Sequence, residues 1–208
     1  MEKNNKKQPI LGRNKQQHSS NIVLIGATAS GKSTVGFQLA RILDIGLIDI
    51  DEAIEAKSEK SIPEIFSELG EAGFRALEKE VLAGISSIRN HVIITGGGII
   101  EDDDNWDLIK TLGPIVWLAT PTTEVLNRLL DRPDELKKRP LLADAAMVED
   151  RAARSQLIRD KLDMMMKRRE SRFNQADFTL SCSYVTAETC AQFIKLRLTQ
   201  SPDEYEDA

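Results

Sequence analysis

The sequence predicts an α/β domain, a doubly wound five-stranded parallel sheet flanked by helices. Three observations carry that expectation. Short apolar runs alternate with helical patterns along the chain. The first run leads straight into a glycine-punctuated phosphate-binding pattern. And 208 residues, 41% of them hydrophobic, suffice for one sizeable core.

Residues 22–34, IVLIGATASGKST, organise the rest. Ile22, Val23, Leu24 and Ile25 read as a buried strand. The spacing from Gly26 to Gly31-Lys32-Ser33 fits the phosphate-binding pattern G-x-x-x-x-G-K-[ST]. Such a loop, here including Ala29, Ser30 and Gly31, curls backbone N–H groups around phosphate oxygens. The following helix, opening at Lys32, Ser33 and Thr34, adds its dipole. Lys32 can reach the β- and γ-phosphates, and the Ser33 hydroxyl can ligate Mg²⁺. Nucleotide binding is therefore expected. The helix continues through Val35, Leu39, Ile42 and Leu43.

A second strand is expected over 46–51, GLIDID. On an extended chain Asp49 and Asp51 share a face. At the carboxyl edge of a parallel sheet that face looks into the ligand cleft. One acid can then serve Mg²⁺ through water and the other a substrate hydroxyl; a solvated strand end is the plainer alternative. Ser61 and Glu64 form a capping box for a helix that Gly70 ends. A further helix carries Phe74, Leu77, Val81, Ile85 and Ile88 on one stripe. Arg75 beside it has Glu71 four residues before and Glu78 three after, spacing that also suits a surface ion pair.

The third strand, 91–95, runs into Gly96-Gly97-Gly98, which permits either close backbone approach to a ligand or a tight turn. A helix over 102–111 and a strand over 114–119 follow, and Thr120-Pro121 reads as the start of another helix. Residues 131–142, DRPDELKKRPLL, lose all periodicity, and Pro140 biases Arg139 towards an extended conformation. Such a charged loop suits a mobile lid. A long helix over 146–172 aligns Ile158, Leu162, Met165 and Arg169. An arginine continuing an apolar stripe needs an anion or a wet end. A fifth strand over 178–180 and a helix from a Thr186 cap through 198 complete the domain at 21–198. Residues 1–20, polar and basic, and 199–208, acidic, are expected to be disordered tails.

Composition narrows the function. A net charge of −5 gives no electrostatic support for nucleic-acid binding. Two cysteines and two histidines supply neither a disulfide framework nor a histidine metal site. No apolar stretch spans a bilayer, and the N-terminus lacks the apolar core of a signal peptide. A cytoplasmic protein without membrane or nucleic-acid partners is expected.

In series, the phosphate loop, Asp49-Ile50-Asp51, Gly73-Phe74-Arg75, Gly96-Gly97-Gly98 and Arg139-Pro140-Leu141-Leu142 resemble the shikimate kinases. These belong to the nucleoside-monophosphate-kinase-like P-loop fold, and the likeness covers about 21–198. It implies a P-loop kinase fold with a mobile lid at about 131–142, acting as a monomer with ATP and Mg²⁺. The implied reaction phosphorylates the 3-hydroxyl of shikimate, on the way to chorismate and aromatic amino acids. It further implies Lys32 on the γ-phosphoryl group, Ser33 on Mg²⁺ with Asp49 behind a water, and Asp51 on the attacking hydroxyl. Arg75 and Arg169 would grip the substrate carboxylate, Gly96, Gly97 and Gly98 would line its pocket, and Arg139 would close over ATP. Departures from the family pattern are Ala29 in place of glycine and Ser171-Arg172-Phe173 in place of Pro-Leu-Tyr. No arginine occurs near 184–188. GATASGK also resembles the loop of tRNA prenyltransferases, and a gluconate-kinase-like enzyme is the nearer alternative.

Overall fold

Every residue of strand β1 (Ile22–Gly26) is buried, as a strand covered on both faces must be. Its side chains divide two cores: Ile22 and Leu24 join one, Val23 and Ile25 the other. That split follows from the two-residue period of a strand. The structure, a computed structural model, describes residues 20–199. The tails expected at 1–20 and 199–208 lie outside the described residues, save for Ser20 and Thr199.

Strands β2 (Gly46–Asp49), β3 (His91–Ile94), β4 (Ile115–Ala119) and β5 (Phe178–Ser181) complete the sheet in the order β2-β3-β1-β4-β5, each neighbouring pair parallel. From β1 the chain first builds the β3–β2 side and then crosses to β4 and β5. The carboxyl end of β1 is thus the switch point where open α/β sheets bind ligands. Helix α1 (Lys32–Leu43) leaves from that point.

Four expectations are corrected. The second strand stops at Asp49, and Asp51 lies in the first turn of helix α2 (Ile50–Ser58). Ile50 and Ile54, one turn apart, are both fully buried, a helical pairing that outweighs the alternation of GLIDID. Asp49 and Asp51 therefore do not share a strand face. Pro121, not Thr120, holds the N-cap position of helix α5 (Thr122–Leu130).

Residues 131–142 are also not a periodless loop. They contain the short helix α6 (Pro133–Lys137) and open a 3₁₀ run (Pro140–Met147). Leu136 and Leu142 anchor the segment in a third apolar cluster with Leu126 and Leu129 of α5 and Ile158 and Leu162 of helix α7 (Arg151–Phe173). Last, α7 begins at Arg151 rather than 146, with the Asp150 side chain accepting from Ala153 N–H as its cap.

Elsewhere expectation and fold agree. Helix α3 (Ile62–Gly84) opens on the Ser61–Glu64 capping box and is broken at Gly70, whose φ of 68° is open to glycine. Helix α4 (Asp103–Leu112) follows β3 through a 3₁₀ turn. Helix α8 (Ala187–Thr199) starts where Thr186 Oγ1 accepts from Thr189 N–H. Among the described residues no helix is long and apolar enough to cross a membrane.

Candidate active site

Between β1 and α1 the phosphate loop takes left-handed conformations at Ala29 (φ 55°) and Gly31 (φ 97°). At Gly26, at the end of β1, a Cβ would lie 2.8 Å from the Leu118 carbonyl oxygen and 2.9 Å from Ser30 Oγ. Only glycine lets the loop fold this closely onto β4. Lys32 is 8% exposed, and its Nζ donates to the carbonyls of Gly26 (3.0 Å) and Ala27 (2.8 Å). Burial lowers its pKa from 10.5 to about 8, although Asp51 pulls the other way. The ammonium form still prevails at pH 7, held at the floor of the loop.

The two acids meet at the mouth of the loop by another route than a shared strand. Asp49 caps α2, its Oδ1 accepting from Asp51 N–H at 3.1 Å. Its Oδ2 accepts from Ser33 Oγ at 2.9 Å. Burial, then the charge of Asp49, push the Asp51 carboxyl above its ordinary range. Loop and acids line a cavity of about 530 Å³, with Ala29, Ser30, Gly31, Lys32, Ser33, Thr34, Asp49 and Asp51 on its wall. The far end holds Cys182 and Cys190, both free and buried. Burial, reinforced by Cys190, pushes the Cys182 thiol up to about 12.

A second cavity, of about 110 Å³, adjoins the first. Its polar wall carries Arg75, Glu78, Gly96, Gly97, Gly98 and Arg169, and its apolar wall includes Ile62, Phe66, Phe74 and Leu142. The glycine run gives close approach, but to side chains. A Cβ at Gly96 would meet Asp51 Oδ1 at 2.6 Å, one at Gly97 Arg169 Nη1 at 3.3 Å, and one at Gly98 Arg75 Nη2 at 2.5 Å. None of the three has positive φ, so room for these groups, not backbone freedom, requires glycine here.

Arg169 is 3% exposed, and its Nε donates to Glu101 Oε1 at 2.6 Å. Burial lowers its pKa against the pull of Glu101. Arg75 donates through Nη1 to Glu78 Oε2 at 2.6 Å and through Nη2 to Glu71 Oε1 at 2.9 Å. The two ion pairs of the plainer reading thus both form. They differ in kind: Glu71 is 54% exposed, whereas Glu78 is 1% exposed. Burial pushes Glu78 to about 7, and its Oε1 has no hydrogen-bond partner.

Thr28, Asp51, Gly97 and Arg139 line both cavities. Arg139, in the extended conformation its proline dictates (φ −117°, ψ 91°), donates from Nη1 to Thr28 Oγ1 at 2.7 Å. Sequence reasoning named every one of these except Thr28. It also passed over Glu78, for which a signal existed. Phe74, Glu78, Val81 and Ile85 follow at intervals of four, three and four, so Glu78 continues an apolar stripe just as Arg169 does. For Thr28 and for Arg128, which also lines the larger cavity, the sequence carries no comparable mark.

A polyphosphate cradle that opens through shared walls onto a small chamber bearing two arginines defines a class, the small-molecule kinases of P-loop fold. The model of one family, described as shikimate kinase, matches residues 28–196. The shikimate kinase of Synechococcus sp. strain CC9902 is 36% identical over 172 residues, which cover 83% of this chain and 82% of that one. That of Chlorobium limicola is 38% identical over 164 residues, 79% of each chain. Among solved structures, shikimate kinase from Acinetobacter baumannii in complex with shikimate superposes with a TM-score of 0.75 at 35% identity, covering 85% of this chain and 91% of that one. The Aquifex aeolicus shikimate kinase gives 0.67 at 34% identity, covering 86% and 95%. The chain belongs to the shikimate kinase family.

Proposed function

We propose that the protein transfers the γ-phosphoryl group of ATP to the 3-hydroxyl of shikimate, as a step towards chorismate. The observation that carries the reading is the wall shared by the two cavities. Asp51, between the phosphate loop and the arginine-bearing chamber, can accept a hydrogen bond from an acceptor hydroxyl and take its proton. Its raised pKa makes it a better base than an ordinary aspartate. Lys32 leaves the loop carbonyls for the β- and γ-phosphates, whose charge favours its ammonium form. Arg75 and Arg169 hold the acceptor's carboxylate, a planar anion matched to guanidinium forks. Arg139 neutralises charge on the phosphoryl group in flight, where positioning and electrostatics do most of the catalysis.

The donor set fits Mg²⁺. Ser33 and Asp49, two hard-oxygen side chains in mutual hydrogen bond, would hold it, leaving phosphate oxygens and waters to complete the shell. When bound, the ion neutralises phosphate charge. Segment 131–142 would act as the lid through Arg139. Every group in this scheme comes from one chain, which supports a monomer. Cytoplasmic residence belongs to the same proposal, because ATP and two free thiols are at home there.

The test is ADP release, followed by a coupled assay over a panel of small hydroxy acids that includes shikimate and gluconate. Rapid shikimate-dependent release is expected. Preference for gluconate, or no release with shikimate, overturns the reading.

A further inference from the structure

Two side chains from the β4–α5 corner grip the phosphate loop from outside the cavity. Thr120 Oγ1, buried, donates to the Ser30 carbonyl at 3.1 Å. Arg128, on α5, donates from Nη1 to the Ala29 carbonyl at 3.0 Å. Its other amino group, Nη2, donates to Glu124 Oε1 at 2.5 Å, a pair one helical turn apart that fixes the direction of the guanidinium. The grip falls where the loop is least able to hold itself. Ala29 sits at φ 55°, a left-handed conformation that disfavours a residue with a Cβ. The only bond that the loop itself makes there is a turn closure from Ser30 N–H to the Ala27 carbonyl at 3.2 Å.

Peptide planarity couples this grip to the anion site. A trans peptide points its C=O and the next N–H in opposite directions. Holding the Ser30 carbonyl against Thr120 therefore fixes the Gly31 N–H. Holding the Ala29 carbonyl against Arg128 fixes the peptide that carries Ser30 N–H. Without these holds the loop would spend part of its time in conformations unable to bind phosphate, and apparent affinity falls in proportion to the competent fraction.

We infer that Arg128, oriented by Glu124 and seconded by Thr120, is a positioning residue that keeps the Ala29–Ser30–Gly31 turn in its phosphate-binding form. The inference rests on the reading of this loop as the nucleotide site. It assigns Arg128 no contact with nucleotide; the residue acts through the loop.

The test compares wild type with Arg128→Leu and Glu124→Gln, the second loosening the guanidinium without touching the loop. Arg128→Leu is expected to weaken ADP about tenfold, equivalent to about 1.4 kcal/mol, and Glu124→Gln less. The KM for ATP should rise while kcat and the KM for shikimate change little. In the free protein, amide hydrogen exchange over 26–34 should become faster in both variants while α7 stays as protected as in wild type. Weaker ADP binding with unchanged exchange over 26–34 would mean that Arg128 acts by its charge on the nucleotide, and overturns the inference. So would ADP affinity equal to wild type. If Arg128→Leu fails to fold, the same two readouts on Glu124→Gln decide. Failure of the wild type itself to bind ADP would instead remove the nucleotide reading beneath it.

Discussion

Glu78→Gln tests whether the small cavity is built around a strained charge. The change keeps the side chain's shape and an oxygen for Arg75 but removes the ability to ionise. Burial holds Glu78 at about 7 against an ordinary 4.5. At about 1.4 kcal/mol per pH unit, that gap amounts to about 3 kcal/mol. The sign follows from linkage: a carboxyl whose pKa is raised by folding gives stability present in full below pH 4.5 and lost as pH rises through about 7. Wild type should therefore lose about 3 kcal/mol relative to the variant across that window. At about 2–4 °C per kcal/mol for a chain of this size, the difference in Tm should shift by roughly 6–12 °C. The assay is thermal unfolding of both proteins at several values from pH 4.5 to pH 8. Only the difference between them is read, so that groups common to both cancel. A difference that stays flat across the window would refute the reasoning, and with it the picture of Glu78 as a carboxylate ionised at a cost.

Three further outcomes bear on the proposed chemistry. Lys32→Ala should leave the fold intact and abolish turnover; more than about a tenth of wild-type kcat, a loss of under about 1.4 kcal/mol of barrier, would contradict its role. Because burial holds Lys32 near 8 and phosphate favours the ammonium, ATP affinity should fall as pH rises beyond that value, with proton uptake detectable by calorimetry in buffers of different ionisation enthalpy. Arg139→Ala should lower kcat strongly with little effect on the KM for shikimate. Proteolysis between 131 and 139 should also slow when wild type is given ATP and shikimate; equal cutting in both states speaks against a closing lid. Arg75→Ala should raise the KM for shikimate by the equivalent of roughly 2–5 kcal/mol, and Arg75→Lys should be poor as well, since an ammonium cannot make two parallel bonds. Unchanged kinetics in Arg75→Ala would remove the carboxylate clamp.

The strands were legible because each is a short apolar run ended by glycine or acid, and β1 with its loop gave the register of the whole sheet. What escaped had local signals that pointed two ways. GLIDID alternates like a strand, and only Ile54, one turn beyond Ile50, shows that a helix has begun. In 131–142 the charges dominate the composition, while two leucines six residues apart do the anchoring, a spacing with neither a strand nor a helix period. The partners of Arg75 were visible as spacings, but burial separates Glu71 from Glu78, and burial belongs to the fold. The grip of Arg128 on Ala29 spans 99 residues and joins a side chain to a backbone carbonyl, a contact with no compositional trace.

The two partners of Arg75 give the resting enzyme a form of insulation. Glu71 is an exposed carboxylate already seated on Nη2, so the guanidinium meets the cell with a stand-in anion in place. Acetate, chloride or inorganic phosphate gains little by displacing it, because one weak anion merely replaces another. A cyclic acid differs, since its ring also covers Phe66, Phe74 and Leu142 while its carboxylate takes the vacated fork. Discrimination against the crowd of small cellular anions thus comes from requiring two unlike gains at once, and the flexible glutamate sets the threshold.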